Sequence, residues 1–267
     1  MVQHKILFLP DLISFLIIIL LGWLALSFTG IIPVIQQMPA MPTDEEMAQI
    51  VVTFLQDHLG KLIGGILGFV FASFVVGSAT LAAKFGLIRQ ILSRKEASSQ
   101  IAWTWGRAYL WKVVSMRIAA FLLYLGSAIV SAIIFILLRQ INESLAIIIT
   151  LVIILTTTVY LLLGLFMRYP AMYKKNLPVR DAINTAFVFF IRNKKCVVIT
   201  AFIIAATTLI IRQVFDIIMM MGIAWSGKAA AIVAVIMSLV MLLAMIGVGI
   251  FGDLYTFQIY ETVKGKK

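Results

Sequence analysis

Residues 168–195 read RYPAMYKKNLPVRDAINTAFVFFIRNKK and form the longest basic interruption in an otherwise apolar sequence. Apolar residues recur within it at helical spacing, while charged and amide side chains take the other side. The apolar positions are Val179, Ala182, Ile183, Ala186, Phe187, Phe190 and Ile191. Pro178 suits the first turn of a helix, because its missing N–H would have no partner inside the helix there. We therefore predict an interfacial helix over residues 178–193 that lies on a membrane and does not cross it.

The composition of the whole chain is that of a membrane protein. Hydrophobic residues make up 63% of the 267 residues, and the mean hydropathy is +1.09. Too little polar surface remains to cover a water-soluble fold of this size. Six apolar segments are long enough to cross roughly 30 Å of hydrocarbon as helices. These predicted spans are residues 12–34, 62–87, 113–138, 145–167, 197–221 and 230–251. The predicted fold class is all-α, a polytopic membrane helical bundle with one integral membrane domain over residues 1–267.

Two more surface helices are predicted from capping patterns. Thr43 to Glu46 spell T-x-x-E, in which each of the two side chains caps a backbone N–H of the other residue. An acidic helix with one apolar face should follow over residues 44–59 on the outer side. Ser93 to Glu96 match the same pattern and predict an inner interfacial helix over residues 94–111.

Small and hydroxyl residues within the spans have two interpretations. The second span carries Gly64, Gly65 and Gly68, which let helix backbones approach closely in lipid, and we expect an intramolecular packing face there more than a dimer contact. Residues 156–158 are three threonines near the middle of the fourth span. Their hydroxyls either line a polar path or bond to their own helix backbone.

The distribution of basic residues predicts the orientation. With a cytoplasmic N-terminus, all but four of the 22 Lys and Arg residues fall in cytoplasmic segments. The four exceptions are Lys61, Arg139, Arg212 and Lys228. The positive-inside rule therefore favours a multi-pass cell-membrane protein with cytoplasmic N- and C-termini. Topology and anionic headgroups then explain the formal net charge of +11 without nucleic acid. The aromatic residues 103, 105, 109 and 111 fit an interfacial belt better than a base-stacking surface.

The sequence carries no catalytic or metal-binding pattern. Cys196 is the single cysteine, which excludes an intramolecular disulfide, and two histidines, His4 and His58, are too few for a histidine-based metal cluster. Neither histidine has a neighbouring nucleophile pattern, and no phosphate-binding loop follows a strand. The acidic residues 44–46 are explained by the favourable field at a helix start. We predict that the protein is not an enzyme and needs no cofactor and no metal.

Short motifs suggest a family. The opening residues 4–20, HKILFLPDLISFLIIIL, resemble the start of a group of uncharacterised bacterial and archaeal six-span membrane proteins. That group is similar to the membrane domain attached to some glycerophosphodiester phosphodiesterases. Its members tend to have a proline after the fourth span and then an A-x-x-[S/T] helix with a basic and Asn/Gly end, which Pro170, residues 182–185 and residues 192–193 match here. The resemblance implies a six-span layout and transfers no catalytic residues, because the phosphodiesterase domain is absent.

Two functional classes remain. The first is a non-enzymatic scaffold or accessory subunit whose basic cytoplasmic helices contact anionic membrane lipids or a membrane-protein partner. Its candidate contact residues are Arg107, Lys112, Lys174, Lys175, Arg180, Arg192, Lys194 and Lys195. The second is a small transporter or channel that uses charges near the membrane boundaries. Its candidate residues are Asp11, Arg117, Arg168, Arg212, Asp216 and Asp253. For each of these taken singly, local pairing or snorkelling to the headgroups is the competing explanation.

Overall fold

The computed structural model describes residues 5–37, 43–223 and 228–264, and its secondary structure in these ranges is helical. The helices are α1 (Phe8–Thr29), α2 (Ile31–Gln37), α3 (Asp44–Leu92), α4 (Ser99–Arg139), α5 (Glu143–Leu165), α6 (Arg168–Lys175), α7 (Val179–Arg192), α8 (Lys194–Ile223) and α9 (Lys228–Lys264). Six helical segments are long and apolar enough to cross a membrane. The predicted fold class, an all-α membrane helical bundle, is therefore confirmed. His4 and the lysines after residue 264 lie outside the described residues.

The first predicted span, residues 12–34, is interrupted. Helix α1 ends at Thr29, and Gly30 adopts a left-handed conformation with φ of 77° before α2 begins. The ring of His58 lies against this glycine, so that an added Cβ would come within 2.9 Å of His58 Cδ2. Both the backbone conformation and the close ring favour glycine at the point where α1 ends.

Helix α3 corrects the prediction of a separate surface helix over residues 44–59. The capping box is present as predicted, since Thr43 Oγ1 accepts from Glu46 N–H at 3.3 Å and Glu46 Oε2 accepts from Thr43 N–H at 2.9 Å. The helix then runs on without a break to Leu92. This stretch contains no proline, and the glycine at position 60 does not end a helix that is continuous on both sides.

Helix α4 corrects two further predictions. Ser93 does not cap the start of a helix, because it is the C-cap of α3. The next residue, Arg94, has a left-handed φ of 55°, and the backbone hydrogen bonds at this helix end form a Schellman motif. Ser98 caps α4 instead, because its hydroxyl accepts from Ile101 N–H at 3.3 Å. Helix α4 runs without a break from Ser99 through the third span to Arg139, so residues 94–111 do not form a separate interfacial helix.

The basic stretch after the fourth span folds as two short helices. Helix α7 matches the predicted amphipathic helix, except that Pro178 occupies the N-cap and not the first turn. Helix α6 was not expected from the sequence; it ends at Asn176, which has a left-handed φ of 51°. The Phe187 ring of α7 packs where a Cβ on Gly164 would overlap it, so this glycine lets α7 lie directly on α5.

Buried residues concentrate at one end of the bundle, which we call the basic end. It comprises the start of α1, the α3–α4 connection, α6, α7 and the end of α9. Its two apolar clusters include Phe85, Leu87, Ile88, Tyr109, Met172, Tyr173 and Phe257 in one, and Met167, Ala186, Phe189, Phe190 and Val197 in the other. Along the spans, in contrast, large side chains such as Phe71 and Phe202 are each 71% exposed, as suits a surface that faces lipid.

Only some of the small residues in α3 bring helices together. A Cβ on Gly86 would overlap the Trp105 side chain of α4, and one on Gly65 would lie 2.5 Å from Thr29 Cγ2 of α1. A Cβ on Gly68 would meet no atom within 4 Å. The intramolecular packing face predicted in the second span therefore involves Gly65 but not Gly68.

Candidate functional site

Lys84 joins three helices at the basic end. Its Nζ lies 3.2 Å from Asp11 Oδ2 of α1 and 2.9 Å from Asp253 Oδ2 of α9. The Lys84 side chain is 8% exposed, whereas the side chains of Asp11 and Asp253 are 17% and 29% exposed. The two aspartates predicted as part of a transport path therefore lie together, and the residue that joins them is a lysine that the prediction did not include.

By formal charge, the ion cluster contains one more negative than positive group. Lys84 contacts both carboxylates through their Oδ2 atoms, so each carboxylate keeps a second oxygen that can accept further bonds. Burial of a charged group away from water is tolerated only when the group is paired with an opposite charge and hydrogen-bonded. A surplus carboxylate next to a low-polarity interior therefore favours a further cation or proton nearby.

An aromatic layer lies beside the ion cluster and holds its helices in place. Phe85 follows Lys84 on α3 and stacks on Tyr169 of α6 and Phe257 of α9, with ring centroids 4.6 Å and 5.5 Å apart. The Tyr173 hydroxyl donates to the Ala82 carbonyl oxygen at 3.0 Å in a buried position. Aromatic packing plus a satisfied hydroxyl keeps α3, α6 and α9 in register around Lys84.

A cavity of about 370 Å³ opens beside the ion cluster. We call it the α1/α9 groove; its lining residues are Asp11, Ser14, Phe15, Ile18, Lys84, Leu242, Met245, Ile246 and Gly249. The residues from α1 and those from α9 each recur at i, i+3, i+4 and i+7, which places each set on one helix face. The groove thus has an ionic end at the cluster and apolar walls along two helices.

Arg117 lies apart from the ion cluster. Its Nη1 donates to the Phe74 carbonyl oxygen at 3.0 Å and to Ser78 Oγ at 2.9 Å, and the guanidinium carbon is 4.3 Å from the centre of the Phe74 ring. A Cβ on Gly77 would come within 3.2 Å of the guanidinium, so glycine leaves room for it. Neutral groups of α3 hold this cation, which gives it a structural role between α3 and α4.

The other predicted transport residues are dispersed. Arg168 Nη1 donates to the Leu165 carbonyl oxygen at 3.3 Å, and its Nε is buried without a hydrogen-bond partner among the described residues. Arg212 and Asp216 form an i,i+4 pair on α8 with 3.9 Å between Nε and Oδ2 and with both side chains more than half exposed. Of the six candidates, Asp11 and Asp253 share the Lys84 cluster, and the other four make different contacts.

The eight predicted lipid- or partner-contact residues fall into two groups. Lys112 Nζ and the Tyr109 hydroxyl both donate to Asn176 Oδ1 at 2.7 Å, and Lys174 Nζ lies 3.1 Å from Glu261 Oε1. These two lysines tie α4 to the α6–α7 turn and α6 to α9. The second group contains the other six residues, all of them exposed: Arg107, Lys175, Arg180, Arg192, Lys194 and Lys195.

Sequence reasoning missed Lys84 as a site residue, although a signal was present. Lys84 stands in the otherwise apolar run TLAAKFGLI inside the second predicted span, and an ionisable residue within a membrane span is by default a functional candidate. From the sequence it counts only as one more basic residue near the cytoplasmic boundary. The part played by Asn176 had no comparable signal, because it depends on a left-handed turn.

In the part of the chain that the structure describes, no group of three or more His, Cys, Asp or Glu residues is arranged to hold a metal ion. A scan against protein-family models and searches of curated proteins and of solved structures found no match to this chain.

Proposed function

We propose that this protein is a non-enzymatic scaffold or accessory subunit of the cell membrane whose basic end binds anionic lipid headgroups. The termini and the basic end then face the cytoplasm, in agreement with the positive-inside rule. The resemblance to the six-span group near glycerophosphodiester phosphodiesterases is compatible with this role and adds no chemistry to it.

The main support for this proposal is the amphipathic helix α7. Its apolar side is buried, with Ala186, Phe189 and Phe190 packed in the core, while Arg180 and Arg192 are exposed. The next helix begins with two more exposed lysines, at positions 194 and 195. Each basic residue near an anionic surface contributes about 1 kcal/mol to membrane attraction, so several together give a clear preference for anionic lipid.

Lipid retention tests the proposal. The protein is reconstituted in equal amounts of phosphatidylglycerol and phosphatidylcholine and extracted in mild detergent, and the lipids that stay bound are counted by mass spectrometry. We expect the wild type to retain phosphatidylglycerol preferentially, and a triple variant R180Q/K194Q/K195Q to lose at least roughly fivefold of that preference, because three exposed cations are removed.

A matched control removes three cations from the opposite end, in the variant K61Q/R139Q/R212Q. Because these residues lie on the side predicted to be poor in basic residues, the preference for phosphatidylglycerol should stay close to the wild type. Equal retention by the wild type and the R180Q/K194Q/K195Q variant would remove the lipid-binding proposal. Capture of a copurifying protein with no lipid preference would favour a protein partner instead.

A second candidate function is a small transporter, and the ion cluster at the end of the α1/α9 groove favours it. Two carboxylates and a lysine from three different helices at the boundary of the spans can respond to a charged substrate by changing their pairing. Uptake of an alkylammonium amphiphile into proteoliposomes tests this candidate.

A further inference from the structure

We propose that the α1/α9 groove is a binding site for a single-chain alkylammonium amphiphile, with its ammonium at the Asp11 carboxylate and its alkyl chain along the groove. The site stands independently of the lipid-binding proposal. For the transporter candidate, the proposed substrate class is an alkylammonium amphiphile. Binding in the groove does not by itself imply transport.

The shape of the groove fits a narrow, elongated molecule. It runs from Asp11 to Ile18 along α1, a distance of about 10 Å at the rise of an α-helix. Its volume of about 370 Å³ lies within the range of small-molecule sites. Facing helix α9 contributes Leu242 and Ile246 to the wall. A single alkyl chain can therefore lie along the groove between the two helices.

The charge of the ionic end selects a cation. Asp11 and Asp253 share the single Lys84 ammonium, so the cluster has a formal surplus of one negative charge. Lys84 contacts Asp11 through Oδ2, which leaves Oδ1 of the same carboxylate to accept an N–H bond from a ligand. A fatty acid or anionic lipid would bring like charge to a low-polarity site, which is unfavourable.

The apolar walls select the tail. Phe15, Ile18, Leu242, Met245 and Ile246 line the part of the groove away from the cluster. Burial of methylene groups against such walls is favourable in proportion to the area removed from water. Ser14, which is 7% exposed, lies one helical turn from Asp11 and is the hydroxyl nearest to the ligand's head along α1. A hydrophilic cation such as free ammonium would leave these walls uncovered.

Calorimetric titration of the full chain in an uncharged maltoside detergent tests the site. The probes are octylammonium, 1-octanol and octanoate, which share a chain length and differ in the charge of the head. We expect saturable binding of one octylammonium, roughly tenfold tighter than 1-octanol, and weaker binding of octanoate than of either. Equal affinity for octylammonium and 1-octanol, or preference for octanoate, would overturn the proposal.

Two variants separate recognition of the head from occupation of the groove. Asp11→Asn removes the surplus charge and should abolish the preference for octylammonium over 1-octanol. Gly249→Leu leaves the three charged residues unchanged and projects a side chain into the groove, where a Cβ at this position would meet no atom within 4 Å; it should weaken both probes at least roughly tenfold. Gly68→Leu is the matched control, because Gly68 also has open space around it but lies outside the groove.

Octylammonium affinity that is unchanged in the Gly249→Leu variant would contradict the site even if the Asp11→Asn variant fails to fold. Uptake of octylammonium into proteoliposomes is measured separately. Binding without uptake would support the binding site and contradict the transporter candidate. Absence of binding would contradict the binding site, but it would not affect the proposal that the basic end binds anionic lipid.

Discussion

Two grooves between neighbouring helices have similar walls but different polar groups. The α1/α9 groove ends at the Lys84 ion cluster. A second cavity of about 250 Å³, the α4/α5 groove, is lined by one face of α4 and one face of α5, again at helical spacing. Its polar groups are hydroxyls: Ser127 Oγ donates to Thr157 Oγ1 at 2.9 Å, and Thr157 donates to the Ile153 carbonyl oxygen at 2.7 Å.

The difference separates structural polarity from polarity that favours a ligand. In the α4/α5 groove, Thr157 and Ser131 donate to carbonyls of their own helices, so these hydroxyl protons are already used. In the α1/α9 groove, one lysine pairs with two carboxylates, which leaves a formal surplus of one negative charge. We infer that the hydroxyls of the α4/α5 groove hold two helices together, whereas the polar groups of the α1/α9 groove make it the better candidate for a ligand site.

Replacement of Lys84 should have the largest effect on stability. Lys84→Met leaves Asp11 and Asp253 facing each other without a cation, and removal of one partner from a buried ion pair typically costs about 3 kcal/mol. The free energy of unfolding in mixed micelles, driven by an ionic detergent, measures the change.

The triple variant D11N/K84M/D253N is the control for this prediction. It removes all three charges, so no carboxylate is left unpaired, and it should recover most of the stability lost in Lys84→Met. Similar unfolding free energies for the single and triple variants would mean that the ion cluster is not what the substitution disrupts.

Replacement of Thr157 should have a smaller effect. Thr157→Val keeps the shape of the side chain and removes the acceptor of the Ser127 hydroxyl, and hydrogen bonds between membrane helices are worth about 0.6 kcal/mol on average. The same unfolding measurement applies, with binding of octylammonium expected to stay unchanged. A cost as large as that of Lys84→Met would erase the distinction between the two grooves.

Local patterns in the sequence predicted much of the fold. Hydrophobic length identified six spans, and helical periodicity located α7 to within one residue at Pro178. The sequence did not reveal that the predicted surface helices are continuous with the membrane spans that follow them. Capping patterns show where a helix can begin, but not whether the chain bends before the next span. Thr43 starts a helix that simply continues through the membrane, whereas at the other candidate start the actual cap is Ser98.

The site was only partly predictable, because its pairings join distant parts of the sequence. Asp11 and Asp253 stand near opposite ends of the chain, and no spacing rule relates either of them to Lys84. The same holds for Lys174, which the sequence offers as a lipid contact and which the structure pairs with Glu261. Charge patterning thus indicated which residues deserved testing but not how they combine.

Cysteine labelling tests the negative character of the α1/α9 groove most directly. Ser14→Cys and Ser127→Cys are made separately in a Cys196→Ser background and reacted with cationic aminoethyl or anionic sulfonatoethyl methanethiosulfonate. We expect a cationic-to-anionic rate ratio at position 14 that exceeds the ratio at position 127 by roughly tenfold or more, because a charged cleft concentrates the opposite charge. Equal ratios at the two positions would contradict it.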